Sequence, residues 1–168
     1  MQRTLEITID APAEKVWDIL ARRYCEIAGW TRAVQRSWPM RQEQIPPEVQ
    51  VAPAAPFPGR MVVTPLGQLG EVLTEYSEPE RSFTFLALGV PGIVTRSTDR
   101  TTVHALGPSR CRVTLEIELL LWGGFRILEP LLKRRIARAL QPMLEDLKHF
   151  AETDTLAPGV APARQEVA

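Results

Sequence analysis

Residues 111–151, CRVTLEIELLLWGGFRILEPLLKRRIARALQPMLEDLKHFA, contain the change of hydrophobic period that decides the fold. From Val113 to Leu119 every second residue is apolar, which is typical of a β-strand with one buried face. After Gly123 and Gly124 the apolar residues recur at helical spacing. They are Leu128, Leu132, Ile136, Ala139, Leu140, Met143 and Leu147. The pattern predicts a strand followed by a long amphipathic helix that ends near Ala151.

Upstream of this stretch, alternating runs separated by short turns that contain Gly or Pro predict further strands. The predicted strands are Arg60–Thr64, Leu69–Tyr76, Ser82–Leu88, Ile93–Ala105 and Arg112–Leu121. Connections this short join neighbouring antiparallel strands, because parallel strands need a longer crossover. The runs therefore predict an antiparallel meander.

The N-terminal residues predict another strand, two short helices and the second strand of the sheet. Apolar and polar residues alternate over residues 5–9, and Pro12 then occupies a position where Pro is tolerated as the first helical residue. A helix of about 11 residues follows. We expect Tyr24–Gly29 to be a shorter helical piece and Trp30–Trp38 to be the second strand.

Two segments lack the pattern of a packed element. Residues 39–58 hold six of the fifteen prolines, which cannot donate to a sheet ladder, so a mobile flap is expected there. Residues 153–168 are rich in Ala and Pro and show no periodicity, so a disordered tail is expected. Residues 1–152 are then the folded domain.

Composition excludes several classes of function. The chain has 20 basic and 20 acidic residues, and this balance argues against a general nucleic-acid binder. Cys25 and Cys111 have no partners at metal-ligand spacing, and no cofactor motif is found, so neither a metal nor a cofactor is expected. The N-terminus has no basic segment leading into an apolar one, which favours a soluble, cytoplasmic protein.

The order of elements predicts an α+β fold. A curved, seven-stranded antiparallel sheet would wrap around the long C-terminal helix, with the two short helices between the first two strands. One helix cannot fully cover a face of so large a sheet. We therefore expect an internal cavity between the sheet and the helix, which is a place for a small molecule.

The element order resembles the helix-grip superfamily, which includes START domains, birch-pollen-allergen-like proteins and the polyketide cyclase/dehydrase and lipid-transport (SRPBCC) family. The matching segments are ITIDAPAEKVWDIL (7–20), the entry to strand two (27–30), GEVLTEYSEPERSFTF (70–85), VPGIVTRSTDRTTVHALGPSRCRVTLEIEL (90–119) and MLEDLKHFAE (143–152). The resemblance covers roughly residues 3–152, and it implies a cavity for a hydrophobic small molecule. The functions that it implies range from lipid carriage to ring closure of polyketides.

Strand parity makes Asp99 the candidate catalytic residue. Taking Val103 as inward places Asp99 on the cavity face among the hydroxyls of Ser97 and Thr101. Desolvation there would raise the pKa of the Asp99 carboxyl towards the range that is useful for general acid or base catalysis. The alternative is a carboxylate at the cavity mouth that is held by water or by a neighbouring Arg. His104 and His149 are predicted to be surface residues.

Aromatic, aliphatic and Met side chains are the candidates for contact with a ligand, the alternative being an ordinary packed core. The predicted lining is Trp30, Val34, Met61, Val63, Tyr76, Phe83, Phe85, Ser97, Thr101, Leu119, Trp122, Leu140 and Met143. Met61 and Met143 are expected to face each other from sheet and helix, since Met adapts to irregular partners. Arg36 is inward by strict alternation, but a bulge would turn it to solvent, and we favour solvent.

Two features of the last helix bear on access and partners. Pro142 removes one helical hydrogen bond and is expected to kink the helix, which would widen an entrance to the cavity. The basic cluster of Lys133, Arg134, Arg135 and Arg138 is either a solvated helix face or a contact for a membrane surface or an acyl-carrier protein. The chain is expected to be a monomer or a homodimer.

Three functions remain open at this stage. The leading one is a bacterial cyclase/dehydrase-like enzyme that folds a hydrophobic substrate, excludes water and moves protons with Asp99 or a bound water. The rival is a non-catalytic carrier of a lipid or isoprenoid, which needs the cavity but no ionisable group inside it. The third is an interaction module.

Overall fold

The computed structural model describes residues 1–65, 67–123 and 129–160, without the side chain of Lys133. Within these residues seven antiparallel strands form one sheet in the order β1-β7-β6-β5-β4-β3-β2. The strands are β1 Gln2–Ile9, β2 Arg36–Pro39, β3 Gly59–Thr64, β4 Gly67–Ser77, β5 Ser82–Leu88, β6 Val94–Gly107 and β7 Arg110–Leu121. The α-helices are α1 Ala13–Trp17 and α2 Glu129–Thr153. This is the α+β helix-grip arrangement that the sequence predicts.

One face of the sheet packs against α2, and we call it the inner face. On β7 the alternating buried residues from Cys111 to Leu119 belong to it, as predicted. Partners directly opposite in a ladder share a face, so the register carries the assignment across the sheet. Val103 of β6 pairs with Val113 of β7, and Phe83 of β5 pairs with Thr101 of β6. The ladders between β5 and β4 and between β4 and β3 extend the assignment in the same way. The main hydrophobic core lies on this side.

One-residue bulges interrupt two of the long strands. On β4 the register shifts between Leu73 and Glu75, which leaves Thr74 as the extra residue. On β6 it shifts between Val94 and Arg96, which leaves Thr95 as the extra residue. A bulge bends its strand and increases the local twist, so both contribute to the curvature of the sheet around α2.

The helical region after β1 differs in detail from the predicted single helix. Pro12 has an extended backbone (ψ 139°) and precedes the first helical residue, Ala13, so it caps the helix and does not begin it. The α-helical turn is only five residues long and continues as a π-helical turn, Asp18–Arg22. The buried side chains Val16 and Trp17 hold this region on the core. A 3-10 turn, Tyr24–Gly29, follows as expected.

The second strand is shorter than the predicted Trp30–Trp38. The backbone N–H groups of Trp30 and Thr31 both donate to Ile27 O at 3.3 Å, so these residues close a turn and are not extended. The buried Asp146 of α2 holds the next residues: its Oδ2 accepts from Thr31 Oγ1 at 3.0 Å and from Arg32 N at 2.9 Å. Residues 30–33 are therefore tied to α2, and pairing begins only at Arg36.

The Pro-rich segment 39–58 packs against the outer face of β3 and β4. Met40 and Ile45 are buried with Val72 in a second hydrophobic cluster. Backbone bonds join the segment to β4, from Ala52 N to Leu73 O at 2.8 Å and from Leu73 N to Pro58 O at 3.0 Å. A 3-10 turn, Gln42–Gln44, lies within it. The structure thus shows the segment in contact with the sheet. Its mobility as a flap stays a prediction.

Helix α2 continues through Pro142, and its two halves are buried to different extents. In the second half Leu144, Leu147 and Ala151 are fully buried. In the first half Leu132, Ile136 and Leu140 are only half-buried, as is Met143 just after Pro142, and Ala139 is exposed, contrary to the predicted apolar stripe. Leu128 lies outside the described residues. No helix within the described ranges is long and apolar enough to cross a membrane.

Part of the predicted tail is packed against the domain. Thr153 ends α2, the Lys15 ammonium lies 2.8 Å from Asp154 Oδ1, and Ala157 is buried. The expectation of disorder therefore concerns only residues 161–168, which lie outside the described residues.

Candidate functional site

A polar cluster interrupts the hydrophobic inner face of the sheet. It consists of Arg60 on β3, Glu71 on β4, Asp99 on β6 and Tyr24 from the 3-10 turn that packs against the sheet, and we call it the interior cluster. Register brings the three strand residues to one face: Arg60 is directly opposite Glu71, and Asp99 is directly opposite Phe85. All four side chains are buried or nearly so.

Arg60 and Glu71 form a buried ion pair. Arg60 Nε lies 2.6 Å from Glu71 Oε2, and Arg60 Nη1 donates to Tyr24 O at 2.5 Å. Burial disfavours the charge of the guanidinium, but Glu71, Tyr24 and Cys25 together outweigh this effect, so the pKa of Arg60 lies above its ordinary value. The charge of Arg60 is thus permanent and already compensated inside the protein.

Tyr24 lies beside this pair. Its hydroxyl donates to Glu71 Oε2 at 3.3 Å, and the Arg60 guanidinium lies 3.8 Å from the centre of its ring, which is a cation–π contact. The ring edge also meets Phe83, with 5.5 Å between ring centres. Burial raises the pKa of the Tyr24 hydroxyl well above its usual value, so it remains a protonated donor.

Asp99 is the least satisfied member of the interior cluster. It is 8% exposed, and its Oδ1 has no hydrogen-bond partner among the described residues. Burial raises the pKa of the carboxyl to about 8, the Glu71 carboxylate adds to the rise and Arg60 opposes it. At neutral pH the Asp99 carboxyl is therefore mostly a neutral acid that can donate a proton. Its inward orientation is the one that strand parity predicts.

The space beside Asp99 is open at one end. Phe85 and Ser97, on the same face as Asp99, are half-buried, as are Leu140 and Met143 of α2, whereas Thr101 and Leu119 are buried. The inner face is thus tightly covered by the second half of α2 and loosely covered by the first. We call the loosely covered part, between the first half of α2 and strands β5 and β6, the inner groove.

Two depressions that the structure describes lie away from the predicted cavity. One, of about 540 Å³, lies at the rim and is lined by Arg22, Ala54, Pro56, Tyr76, Ser77, Glu78 and Pro79. The other, of about 310 Å³, lies on the outer face of β1 and β4–β7. Neither depression lies between the sheet and α2, so the binding of a ligand in that space stays a prediction.

Most of the predicted lining residues lie on the inner side, and three do not. Met61 and Val63 point to the outer face, because they alternate with the inward Arg60 and Val62. Met61 consequently packs in the second cluster and does not face Met143. Trp122 is 70% exposed, since it follows the last residue of β7 and leaves the sheet.

The remaining predicted lining residues belong to the core or to the inner groove, and their contact with a ligand stays a prediction. They are Trp30, Val34, Tyr76, Phe83, Phe85, Ser97, Thr101, Leu119, Leu140 and Met143. Tyr76 is at the rim, where its hydroxyl donates to Glu78 Oε2 at 2.6 Å and its ring lies 5.5 Å from Trp17.

The other residues that could take part in catalysis lie away from the interior cluster or, in the case of Cys25, are in an unreactive protonation state. His104 is exposed, and His149 is half-buried next to Thr155. Arg36 points outwards, as we favoured, with Trp38 beside it. Burial raises the pKa of the Cys25 thiol to about 11, so it is not a thiolate at neutral pH. Over the described residues, no group of three His, Cys, Asp or Glu side chains could hold a metal ion.

The fold and the interior cluster define a helix-grip protein with a neutral acid and a fixed guanidinium beneath its long helix. A family model described as polyketide cyclase / dehydrase and lipid transport matches residues 2–152, and the chain belongs to this family. The family agrees with the resemblance drawn from the sequence motifs. A search of curated proteins finds no match.

Solved structures show the same fold at low identity. A START superfamily protein from Mycobacterium smegmatis has a TM-score of 0.68 at 13% identity, over 92% of this chain and 99% of its own. The Zhui aromatase/cyclase from Streptomyces sp. R1128 has a TM-score of 0.64 at 13% identity, over 94% and 100%. Norcoclaurine synthase from Thalictrum flavum has a TM-score of 0.62 at 14% identity, over 89% and 85%.

Proposed function

We propose that the protein binds a hydrophobic small molecule that carries carbonyl groups in the inner groove and catalyses its cyclisation and dehydration, in bacterial secondary metabolism. The observation that carries the proposal is the buried Asp99 carboxyl, whose Oδ1 has no hydrogen-bond partner in the part of the chain that the structure describes and whose pKa is raised to about 8. A carrier needs only an apolar groove, and a buried carboxyl without a partner costs such a protein stability. Its retention favours a chemical role.

The chemistry follows from the protonation state of Asp99. In an intramolecular aldol step, a new carbon–carbon bond forms between an enol carbon and a carbonyl carbon, and the carbonyl oxygen takes a proton. Asp99 donates that proton, and its carboxylate then takes the proton of the enol oxygen, so the acid is regenerated. In the dehydration the same acid protonates the leaving hydroxyl, its carboxylate removes the α-proton, and water is released.

The charged members of the interior cluster, Glu71 and Arg60, act on Asp99 through its pKa and do not transfer protons. The guanidinium of Arg60 is held by Glu71 and by Tyr24 O, and this pair forms the fixed polar floor of the site. The aromatic rings of Phe83 and Phe85 provide the apolar surface that holds a substrate and excludes water.

The proposal is tested by comparing Asp99→Asn with the wild-type protein. The probe reaction is the cyclodehydration of a linear β-triketone, followed by ultraviolet absorbance, and binding is measured with the fluorophore anilinonaphthalene sulfonate. We expect Asp99→Asn to lower turnover by about 100-fold while fluorophore binding persists. The matched control is Glu118→Gln, which removes an exposed carboxylate from the outer face of β7.

The results separate the enzyme from the carrier. Turnover that survives in Asp99→Asn would contradict the catalytic role. A wild-type protein that binds the fluorophore, co-purifies with a lipid or isoprenoid in native mass spectrometry and shows no turnover would support the non-catalytic carrier instead.

A further inference from the structure

Exposed apolar side chains lie close together in the chain, near the end of β7 and the start of α2. Among the described residues, the large apolar side chains that are exposed are Leu106 (48%), Leu120 (46%), Trp122 (70%) and Leu131 (58%). The last three lie within twelve positions of the chain, around the start of α2. An exposed Trp flanked by exposed Leu residues is unusual on a surface that meets only water, and it marks a place of contact.

Arginines continue this surface along α2. Leu131, Arg134, Arg135 and Arg138 are all exposed, and their spacing places them on one face of the helix. None of the three arginines forms an ion pair with a described residue, whereas Arg22, Arg32 and Arg60 all do.

Charge is distributed unevenly along the chain. Residues 119–144 contain five cations and one carboxylate, a net charge of +4 in a protein whose total is zero. The rest of the chain therefore carries a net charge of −4. A negatively charged flat surface would attract the molecule in one orientation, with the start of α2 towards that surface.

We propose that this end of the molecule, the docking end formed by Trp122, Leu131, Arg134, Arg135 and Arg138, binds the surface of an anionic lipid bilayer. Trp and Leu side chains enter the boundary between headgroups and acyl chains, where an indole is favourably placed. The guanidinium groups contact the anionic headgroups. The apolar side chains at the end of β7 and the start of α2 fit the deformable surface of a bilayer.

The docking end adjoins the open part of the inner groove. Leu132, Ile136 and Leu140 belong to the same half of α2 as the arginines, and they are the half-buried residues that cover the groove loosely. A bilayer held at the docking end is therefore next to the groove. A hydrophobic molecule can pass between the bilayer and the groove with little exposure to water, which removes most of the cost of its transfer.

The experiment measures sedimentation with vesicles of phosphatidylcholine alone and of phosphatidylcholine mixed with phosphatidylglycerol, with no other ligand present. We expect the full chain to sediment with the anionic vesicles only, and salt to weaken this binding. The triple variant Arg134→Gln, Arg135→Gln, Arg138→Gln should lose about tenfold or more in binding. The matched control is Arg3→Gln, Arg36→Gln, Arg112→Gln, which removes the same charge from exposed residues elsewhere.

Quenching by lipids with brominated acyl chains reports insertion. We expect the quenching of tryptophan fluorescence to disappear in Trp122→Phe, since Trp17 and Trp30 are buried and Trp38 is half-buried at another place. Equal loss of binding in the two triple variants, or the absence of binding to anionic vesicles, would overturn the proposal. So would binding to an acidic acyl-carrier protein without binding to vesicles. These outcomes do not depend on the catalytic role of Asp99.

Discussion

Arg60 Nε lies 2.6 Å from Glu71 Oε2, across the ladder between β3 and β4 and on the inner face of the sheet. The pair stands in a core of aromatic and aliphatic side chains, and Tyr24 contacts both members. A buried pair of this kind contributes little stability relative to apolar residues. Removal of one member is nevertheless costly, because the charge of the other then stays buried without a partner. The two side chains fix a permanent charge pair on the inner face of the sheet.

Removal of one member of this pair should therefore cost more than removal of both. We expect Glu71→Gln to lower the free energy of unfolding by about 3 kcal/mol, because the Arg60 charge stays buried without its partner. The double variant Arg60→Met, Glu71→Leu should cost much less. Urea unfolding of the three proteins measures this difference, and a double variant that costs as much as Glu71→Gln, or more, would contradict the mutual dependence of the two side chains.

The pH dependence of stability should report Asp99. Because burial raises the folded-state pKa of this carboxyl to about 8, the folded protein binds a proton that the unfolded chain has already lost above its ordinary pKa. The contribution of Asp99 to stability is therefore greatest at low pH, and it falls as the pH rises towards 8, by at most about 1.4 kcal/mol per pH unit. Asp99→Asn should flatten this slope in urea unfolding at a series of pH values. An unchanged slope would show that Asp99 titrates normally.

The pH dependence of turnover should also be set by the protonation of Asp99. Turnover should decline above about pH 8 as Asp99 loses its proton. Glu71→Gln should move this decline to lower pH, because the Glu71 carboxylate helps to keep Asp99 protonated. The pH profiles of wild type and Glu71→Gln measure the shift, and coincident profiles would argue against coupling of the two carboxyls.

Pro142 should control access to the inner groove. It stands between the loosely covered and the tightly covered halves of α2, and its missing N–H leaves Arg138 O without the usual helical bond. Pro142→Ala restores that bond, so we expect the first half of α2 to move less and a bound fluorophore to dissociate more slowly. Stopped-flow dissociation of anilinonaphthalene sulfonate measures the rate. The control is Gln141→Ala, which changes an exposed neighbour. Equal dissociation rates in all three proteins would show that Pro142 does not affect access to the inner groove.

The contribution of the Pro-rich segment 39–58 to stability should show whether this segment is held against the sheet or is mobile. Ile45 is 7% exposed and packs with Met40 and Val72. If the segment is held by these contacts, Ile45→Ala should cost about 2 kcal/mol or more in urea unfolding. The exposed Glu48→Ala, from the same segment, should cost almost nothing. A negligible cost for Ile45→Ala would support the mobile flap that the sequence predicts.

Periodicity predicted the sheet well and the interior cluster badly, for one physical reason. On β7 polar and apolar residues alternate without interruption, so parity assigns both faces correctly. On β3 the apolar residues Met61, Val62 and Val63 are consecutive, because this strand is covered on both sides, by the core and by the Pro-rich segment. Parity alone cannot tell which face is inner there, and it placed Met61 and Val63 inside.

Arg60, Glu71 and Tyr24 were missed because a sequence does not show which charges are buried together. The spacing of Arg60 and Glu71 across a predicted hairpin was compatible with any of several registers. Tyr24 joins them from a 3-10 turn that lies 36 residues before Arg60 in the chain. Asp99 was found because its strand is paired with the regular β7, whose parity is certain.

The bulges on β4 and β6 make the depth of the inner groove adjustable by chain length. Leu73 and Tyr76 lie on the same face although they are three residues apart, because Thr74 is the extra residue of the β4 bulge. Deletion of Thr74 would keep every neighbour on its present face and remove only the bend. The space above Asp99 can thus be reshaped by gain or loss of one residue outside it, with no change to the side chains that line it. A lineage of such proteins could change the size of its ligands while it keeps its chemistry.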